Sequence, residues 1–227
     1  MDAQDAPSST RSDLLKNLAT RILALPADRI VKVGIDGMDG AGKTTFSREL
    51  ARVLEPSGRP LIAASVDGFH NPRAVRYRLG KRSPEGFFRD SYNYSALKAA
   101  LLDPLSPRGT NLYRTAIFDH RSDLPVEMLE EQAEPGSILI MEGIFLHRPE
   151  LRDYWDFSVF LEVDFTTSIP RGAQRGEGSP NPHAGENRRY VEGQRLYFRE
   201  CEPKAYATVV VNNERLEEPF VVEREKD

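Results

Sequence analysis

The feature that most constrains this chain is a glycine-rich segment that directly follows a short apolar run. The run covers residues 31–35, and the pattern Gly37-x-x-x-x-Gly42-Lys43-Thr44 comes next. Glycine has no Cβ, so the backbone can turn sharply here and bring its N–H groups close to phosphate oxygens. The pattern predicts a buried strand, a phosphate-binding loop (P-loop) and a helix over residues 44–54 whose first turn also attracts an anion.

The loop combines backbone donors with two functional side chains. Lys43 is a mobile cation for the β- and γ-phosphates of a nucleoside triphosphate, and the Thr44 hydroxyl is a ligand for Mg²⁺. The predicted nucleotide-binding residues are Gly37, Met38, Asp39, Gly40, Ala41, Gly42, Lys43, Thr44 and Thr45.

Composition limits the classes of partner. The 227 residues suit one α/β domain, and the formal net charge of −4 argues against a protein that binds nucleic acid by bulk electrostatics. No apolar run reaches membrane-spanning length, so we expect no membrane association. The single cysteine, Cys201, excludes an internal disulfide and fits a cytoplasmic protein. We expect a small-molecule substrate, and a homo-oligomer stays open.

Strand patterns alternate with helix patterns along the chain. Apolar runs at residues 31–36, 61–66, 138–141, 157–163 and 207–211 predict strands. This alternation indicates a parallel sheet with helices on both faces, an α/β three-layer fold of the P-loop NTPase type. Residues 220–222 are a further edge strand candidate.

The other segments are assigned from their local composition. Residues 1–11 are small and polar and predict a disordered tail, and residues 12–227 predict a single domain. An amphipathic helix is expected over 13–25, and residues 71–90 are expected to form a long basic loop. The domain is expected to include a substrate-side insert at about 68–125 and a lid at about 171–190, with helices over 91–102, 166–175 and 187–201.

Two acids follow predicted strands. Asp67 follows the second strand, and Glu142 follows the strand at 138–141. Ligands of open parallel sheets bind at the carboxyl ends of the strands, so both acids are expected beside the phosphates. We predict that Asp67 orients or deprotonates an attacking hydroxyl, and that Glu142, with Thr44 and Asp67, holds Mg²⁺ or its waters.

Two arginines lie four residues apart before a flexible stretch. Arg171 and Arg175 therefore share one helix face, and they suit a lid that closes over a transferred phosphate. A solvated basic face is the simpler alternative. The four histidines form no zinc pattern, although His70 and His120 are candidates for contact with a substrate.

Several motifs of the chain, taken in sequence order, resemble those of the uridine kinase and phosphoribulokinase family of P-loop kinases. The matching segments are Gly37–Thr45, Val66–His70, Glu142–Ile144, Arg171 with Arg175, and Glu202–Ala207. The resemblance implies ATP-dependent phosphorylation of a hydroxyl on a small metabolite, with Asp67 as the catalytic base. It implies that Lys43, Arg171 and Arg175 also serve catalysis, and that the ligands are ATP and Mg²⁺.

The segment that corresponds to the ribose-binding segment of uridine kinases differs in this chain, so several acceptors stay open. Uridine kinases carry a Pro-Asp-Ala-Phe-Asp segment whose last acid holds the ribose hydroxyls. This chain has Pro84-Glu-Gly-Phe-Phe88, so Phe88 stands at that last position and the next acid is Asp90. Uridine or cytidine is the first candidate, and the basic loop 73–82 points to a sugar phosphate or another anion as an alternative. Sugars and pantothenate-like acids also stay open. The predicted substrate-binding residues are Phe69, His70, Asp90, Tyr113, His120 and Arg121.

Two further features of the sequence concern adenine binding and an alternative function. Asn212 and Asn213, after the last strand, are candidates for contact with adenine. A regulatory switch that depends on a bound nucleotide is the alternative from another functional class. The chain has no Asn-Lys-x-Asp motif, which a GTPase of that kind would need to read guanine.

Overall fold

The computed structural model describes residues 9–176 and 178–223 of the chain. In chain order, the strands are β1 (Val31–Gly37), β2 (Leu61–Ser65), β3 (Leu112–Tyr113), β4 (Phe118–Asp119), β5 (Leu124–Pro125), β6 (Glu131–Gln132), β7 (Ile138–Gly143), β8 (Phe157–Glu162), β9 (Val209–Asn212) and β10 (Phe220–Val221). The α-helices are α1 (Ser9–Leu23), α2 (Lys43–Leu54), α3 (Arg73–Arg76), α4 (Pro84–Asp90), α5 (Tyr94–Leu97), α6 (Phe165–Gln174), α7 (Arg188–Cys201) and α8 (Pro203–Tyr206).

A six-stranded sheet forms the centre of the molecule, in the order β10-β9-β8-β1-β7-β2. All neighbouring pairs are parallel except β9 with β10, which is antiparallel. Strand β7 lies between β1 and β2, with Asp36 opposite Gly143 and Ser65 opposite Glu142. The carboxyl ends of these three strands are therefore side by side, and the predicted three-layer α/β fold is confirmed.

Helices cover both faces of the sheet, because successive side chains of a strand point to opposite faces. One core packs α1 and α2 against residues such as Val33 and Ile140. The other core packs α4, α5 and α7 against Leu139 and Met141. The near-continuous apolar runs of the sequence reflect this burial on both sides.

The N-terminal helix begins earlier than the sequence indicates. Helix α1 begins at Ser9, whereas the prediction placed its start at residue 13 and disorder up to residue 11. For residues 9–11 that prediction is wrong, because Arg11 is buried and its guanidinium bonds to Glu49 and Asn213, at 2.7 and 3.0 Å. Residues 1–8 of the predicted tail lie outside the described residues.

The predicted long loop at 71–90 contains two helices, α3 and α4. Helix α4 has ordinary start signals, with Pro84 in its first turn and the Ser83 hydroxyl accepting the Gly86 N–H at 3.0 Å. Phe87 and Phe88 bury it against the core. The basic and turn-forming residues around it obscured this helix in the sequence.

The segment predicted as a lid, at about 171–190, extends from the last turn of α6 to the first turn of α7. Pro170 was expected in the first turn of its helix, but it lies inside α6, which begins at Phe165. Helix α7 runs over Arg188–Cys201, close to its predicted range. None of the helices in the described part of the chain combines the length and the apolar character that crossing a membrane requires.

Candidate active site

The P-loop connects the carboxyl end of β1 to α2. Gly37, Gly40 and Gly42 have φ angles of 154°, 76° and 88°, which side-chain-bearing residues rarely adopt. A Cβ on Gly40 would lie 2.1 Å from the Ser168 carbonyl oxygen of α6. Glycine is therefore required there both by backbone conformation and by the close approach of α6 to the loop.

The two functional side chains of the loop are at the start of α2. The Lys43 ammonium donates to the Met38 carbonyl at 2.9 Å, so this side chain folds back over the loop. Thr44 and Thr45, in the first turn of α2, are exposed. These residues can hold the phosphates of a nucleotide through backbone N–H groups, an ammonium and a hydroxyl.

A cavity of about 860 Å³ opens above the P-loop. Its walls come from the P-loop, the ends of β2 and β7, the insert, α6 and the start of α7. Among the predicted site residues it is lined by Asp39, Gly40, Gly42, Lys43, Thr44, Thr45, Asp67, His70, His120, Glu142 and Arg175. The tertiary structure thus brings together most of the residues that the sequence indicates.

Asp67 lies in a 3-10 turn (Val66–Phe69) that directly follows β2. The Ser65 hydroxyl accepts the Asp67 N–H at 3.3 Å, and Tyr92 donates its O–H to Asp67 Oδ1 at 3.1 Å. Burial, and then the charge of Asp67, raise the pKa of Tyr92 well above its ordinary value, so this phenol stays a donor. The Asp67 side chain is 59% exposed, so the carboxylate is oriented by Tyr92 yet accessible from the cavity.

Glu142 and Thr44 supply oxygen atoms to the same cavity. Glu142 is on β7 between Ser65 of β2 and Ile35 of β1. Among residues 9–176 and 178–223, no group of three or more His, Cys, Asp or Glu side chains could hold a metal ion. One carboxylate and one hydroxyl beside the P-loop fit the chemistry of Mg²⁺, which keeps several waters and binds proteins through one or two carboxylates plus substrate phosphates.

Two histidines stand beside Asp67. The His70 Nδ1 lies 3.0 Å from the Asp67 carbonyl oxygen and 4.0 Å from the carboxylate oxygen Oδ1. The ring of His70 stacks on that of His120, with 4.5 Å between the centroids. Burial lowers the pKa of His70 below its ordinary value, although Asp67 opposes that shift. Both histidines line the cavity, as a substrate contact requires.

The other predicted substrate residues do not line the cavity. Phe69 is fully buried in the core, and Tyr113 is buried with its hydroxyl bonded to Glu131 at 3.1 Å. Asp90 is buried in a two-bond ion pair with Arg78, at 2.8 and 2.9 Å. Arg121 is exposed in the hairpin of β4 and β5, outside the cavity. Packing or pairing holds the three buried side chains, whereas Arg121 lies exposed at the surface. The predicted substrate contacts of these four residues stay predictions.

The two arginines predicted to belong to a lid, Arg171 and Arg175, have different surroundings in the structure. Arg175 lines the cavity, whereas the Arg171 guanidinium donates to the backbone carbonyls of Asn213 and Glu214, at 3.1 and 2.6 Å. Arg171 therefore connects α6 to the segment after β9. Its predicted catalytic role stays a prediction.

Asn213 is buried and uses its side-chain amide inside the protein. Its Nδ2 donates to the Ala41 carbonyl at 2.8 Å, and its Oδ1 accepts from Arg11 at 3.0 Å. These two bonds connect the Asn213 side chain to the P-loop and to α1, and its predicted adenine contact stays a prediction. The Asn212 side chain accepts the Glu214 N–H at 3.2 Å, and its adenine contact stays a prediction.

A buried polar network directly behind the P-loop was not predicted. Asp36, fully buried on β1, accepts the Gly37 N–H at 2.7 Å and lies 2.7 Å from His147 Nδ1. Tyr197 of α7 donates its hydroxyl to Asp36, and His147 Nε2 lies 2.9 Å from the Ser158 hydroxyl. The sequence did contain a sign of this network. Asp36 directly follows an apolar run that predicts a buried strand, and a buried charge needs partners.

Other cavity residues were also missed. Arg48, Arg76, Tyr92 and Arg189 line the cavity without having been named as site residues. Arg76 belongs to the basic segment 73–82, and Arg189 to the arginine-rich helix α7. Nothing in the local sequence distinguishes these arginines from solvent-exposed ones nearby.

Comparisons of sequence and fold connect the chain to one family of proteins. The model of the Phosphoribulokinase / Uridine kinase family matches residues 32–177. The chain is 25% identical over 195 residues to a uridine kinase of Leuconostoc citreum (strain KM20), covering 79% of this chain and 85% of that protein. It is 26% identical over 197 residues to a phosphoribulokinase of Synechocystis sp. (strain ATCC 27184 / PCC 6803 / Kazusa), covering 75% and 52% of the two proteins.

A solved structure of similar shape extends over most of the chain. The structure of a possible uridine kinase from Bacillus stearothermophilus superposes with a TM-score of 0.68 and 25% identity, covering 87% of this chain and 97% of the other. The residues that match the family model, 32–177, include the P-loop and both acids.

Proposed function

Because the chain belongs to the phosphoribulokinase and uridine kinase family, we propose that it transfers the γ-phosphate of ATP to a hydroxyl group of a small metabolite. The observation that carries this proposal is the shared cavity of the P-loop and the Asp67 carboxylate. A kinase needs both a phosphate cradle and a group that orients the attacking oxygen, and this arrangement supplies both.

In the proposed reaction, the acceptor oxygen bonds to the γ-phosphorus while the bond from that phosphorus to the β,γ-bridging oxygen breaks. The hydroxyl proton passes to the Asp67 carboxylate, and the products are ADP and a phosphate ester. The transition state of such transfers is loose, so Asp67 contributes mainly by orienting the hydroxyl. The hydrogen bond from Tyr92, at 3.1 Å, fixes the carboxylate for that task.

The other groups act on the phosphates. The P-loop N–H groups and Lys43 bind and orient the triphosphate, and Arg175, directly after α6, stabilises negative charge on the transferred group. Thr44 and Glu142 are the residues that would hold Mg²⁺, with Asp67 as a further oxygen donor. When bound with ATP, Mg²⁺ neutralises charge on the β- and γ-phosphates.

Two observations bear on the identity of the acceptor, and they favour different classes of compound. Uridine kinases among the relatives make uridine and cytidine the first compounds to assay. Asp90, which stands near the segment that holds ribose in uridine kinases, is buried in its pair with Arg78 and lies away from the cavity. That placement favours the alternative of a non-nucleoside acceptor.

The test is an assay of ADP release with ATP and Mg²⁺ over a panel of nucleosides, sugars, sugar phosphates and hydroxy acids. Asp67→Asn should lower kcat for the best acceptor by about 10²–10⁴-fold, because a positioned general base contributes about that much. The KM for ATP should change little. Asp153→Asn is the control, since the Asp153 side chain is 91% exposed. Full activity of the Asp67 variant would contradict the proposal.

A further inference from the structure

Two nearly buried arginines line the part of the cavity wall that comes from the helices α3 and α7. The residues Arg76, in α3, and Arg189, in α7, are 8% and 9% exposed, and both line the cavity. Their guanidinium carbons lie 5.4 and 4.8 Å from the centre of the same ring, that of Tyr77. Two cations from separate helices are thus gathered around one aromatic side chain.

Arg189 has no carboxylate partner among the residues that the structure describes. Its Nη1 donates to the Lys81 carbonyl at 3.0 Å, while its Nε is buried without a hydrogen-bond acceptor. The guanidinium carbon also lies near two further aromatic rings, 5.4 Å from the centre of the Phe87 ring and 5.6 Å from that of Tyr190. Aromatic faces compensate a buried cation only in part, so an anion from outside would complete this environment.

Arg76 is also incompletely paired. Its Nη2 is shared between the His120 carbonyl and the Asp123 carboxylate, both at 3.3 Å, and its Nε is buried without an acceptor. The same Asp123 oxygen accepts the Arg73 N–H at 2.8 Å, which leaves it less available to Arg76. The combined charge of the two arginines therefore exceeds that of the carboxylate beside them.

The arginine pair is connected to the proposed reacting centre through His120. The His120 carbonyl accepts from Arg76, and the His120 ring stacks on His70, which lies 4.0 Å from the Asp67 carboxylate. One small molecule in the cavity can thus place a hydroxyl at Asp67 and a second group toward the arginines. Guanidinium groups bind carboxylates and phosphates in preference to neutral groups.

We propose that the acceptor of this kinase carries an oxyanion, a carboxylate or a phosphate monoester, that binds between Arg76 and Arg189. This inference rests on the proposed function, since it names the class of alcohol that is phosphorylated. It assigns Arg76 and Arg189 as residues that determine specificity, without a part in phosphoryl transfer. A neutral nucleoside would leave both cations without an added partner and would be a poor acceptor.

Matched acceptors test the inference. The ADP-release assay is run with glycerol against glycerate and with ribose against ribose 5-phosphate, with uridine as the nucleoside reference. We expect kcat/KM for an anionic member to exceed that of its neutral counterpart by about 100-fold or more, because a site built for hydrogen bonding strongly rejects an analogue that lacks the bonded group. The two pairs distinguish a carboxylate from a phosphate as the anion.

Variants then connect the preference to the arginines. Arg189→Met should raise KM for the anionic acceptor by about 10–100-fold, the loss expected for one charge-assisted hydrogen bond. It should leave kcat and the KM for ATP within about twofold, and Arg189→Lys should restore part of the affinity. Arg199→Met is the matched control, because Arg199 is on the same helix with its side chain 68% exposed.

The outcomes separate this inference from the proposed function. Arg76→Met is the second variant if Arg189→Met does not fold, and calorimetric binding of glycerate and ribose 5-phosphate is the independent readout. Efficient phosphorylation of uridine or another neutral alcohol, with KM unchanged in both arginine variants, would overturn the inference and leave the kinase intact. If no panel member is phosphorylated, anion binding that both variants lose would support the inference, and no anion binding would overturn it.

Discussion

At the residue scale, the chemistry of the site depends on the surroundings of Asp67. Tyr92 donates to the carboxylate, and His70 approaches it to 4.0 Å with its ring stacked on His120. The two kinds of neighbour act differently: the phenol orients one carboxylate oxygen, and the histidine pair forms part of the cavity wall. Asp67 stays exposed enough to reach a substrate hydroxyl, which a fully buried acid could not do.

One prediction concerns the protonation of His70. Its surroundings comprise Asp67, His120, Tyr92 and Arg76, and burial is the largest effect on its pKa, which it lowers below the ordinary 6.5. Because the folded state favours the neutral ring, the contribution to stability is complete above pH 6.5. It is lost as the pH falls from 6.5 toward the lower pKa of the folded state.

The measurement is an NMR titration of the histidine ring protons, assigned with His70→Gln. The signal that disappears in the variant should titrate below 6.5. His183, which is outside the cavity above the P-loop, provides the reference signal within the same sample. A His70 midpoint at or above that of an unfolded peptide would contradict the prediction.

At the element scale, α7 and β1 are joined behind the P-loop by polar groups. Tyr197 of α7 donates to Asp36 of β1, and the same carboxylate accepts the N–H of Gly37. Burial, together with the Asp36 charge, raises the pKa of Tyr197 well above its ordinary value, so the phenol stays protonated and keeps its donor. The helix after the predicted lid is thereby attached to the strand that leads into the loop.

We predict that Tyr197→Phe lowers the free energy of unfolding by about 1–3 kcal/mol, because a buried carboxylate loses one of its donors. Urea unfolding followed by circular dichroism measures the change. Tyr206→Phe is the matched control, since Tyr206 is 50% exposed, and it should shift the free energy by less than about 0.5 kcal/mol. Equal effects of the two substitutions would show that the Tyr197 hydroxyl has no special role.

At the scale of the whole molecule, the two ends of the described chain meet at the P-loop. Arg11 of α1 bonds to Glu49 of α2 and to Asn213 after β9, and Asn213 donates to the Ala41 carbonyl. The guanidinium of Arg171 is fastened to the same segment. These contacts support the P-loop, so the position of the loop depends on segments distant in sequence.

Removal of Arg11 tests this connection. Arg11→Met should lower the free energy of unfolding by about 2–4 kcal/mol, because it leaves the nearly buried Glu49 carboxylate without its cation. Thermal and urea unfolding measure the loss, and the affinity for ATP should weaken in parallel. Lys16→Met, on the same helix with its side chain 66% exposed, should have little effect. A stability equal to that of the unmodified protein would contradict the buried ion pair.

Local patterns were sufficient to predict much of this protein. Gly37, Gly42 and Lys43 indicated the P-loop, because phosphate binding by backbone groups demands that spacing within a few consecutive residues. Apolar periodicity indicated the parallel sheet and the helices α2 and α7. Start signals at Ser83 and Pro84 were present for α4, yet the surrounding basic residues outweighed them in the prediction.

Only the tertiary structure decided which of the polar side chains face the cavity. Asp67 and Glu142 meet the P-loop because β7 lies between β1 and β2, an order that no local pattern encodes. The surroundings of Arg171 and Arg189 differ, because one guanidinium donates to backbone carbonyls and the other lies over aromatic rings beside the cavity. Backbone chemistry acts over neighbouring residues and can be inferred from sequence, whereas the environment of a charge is created by segments that only folding brings together.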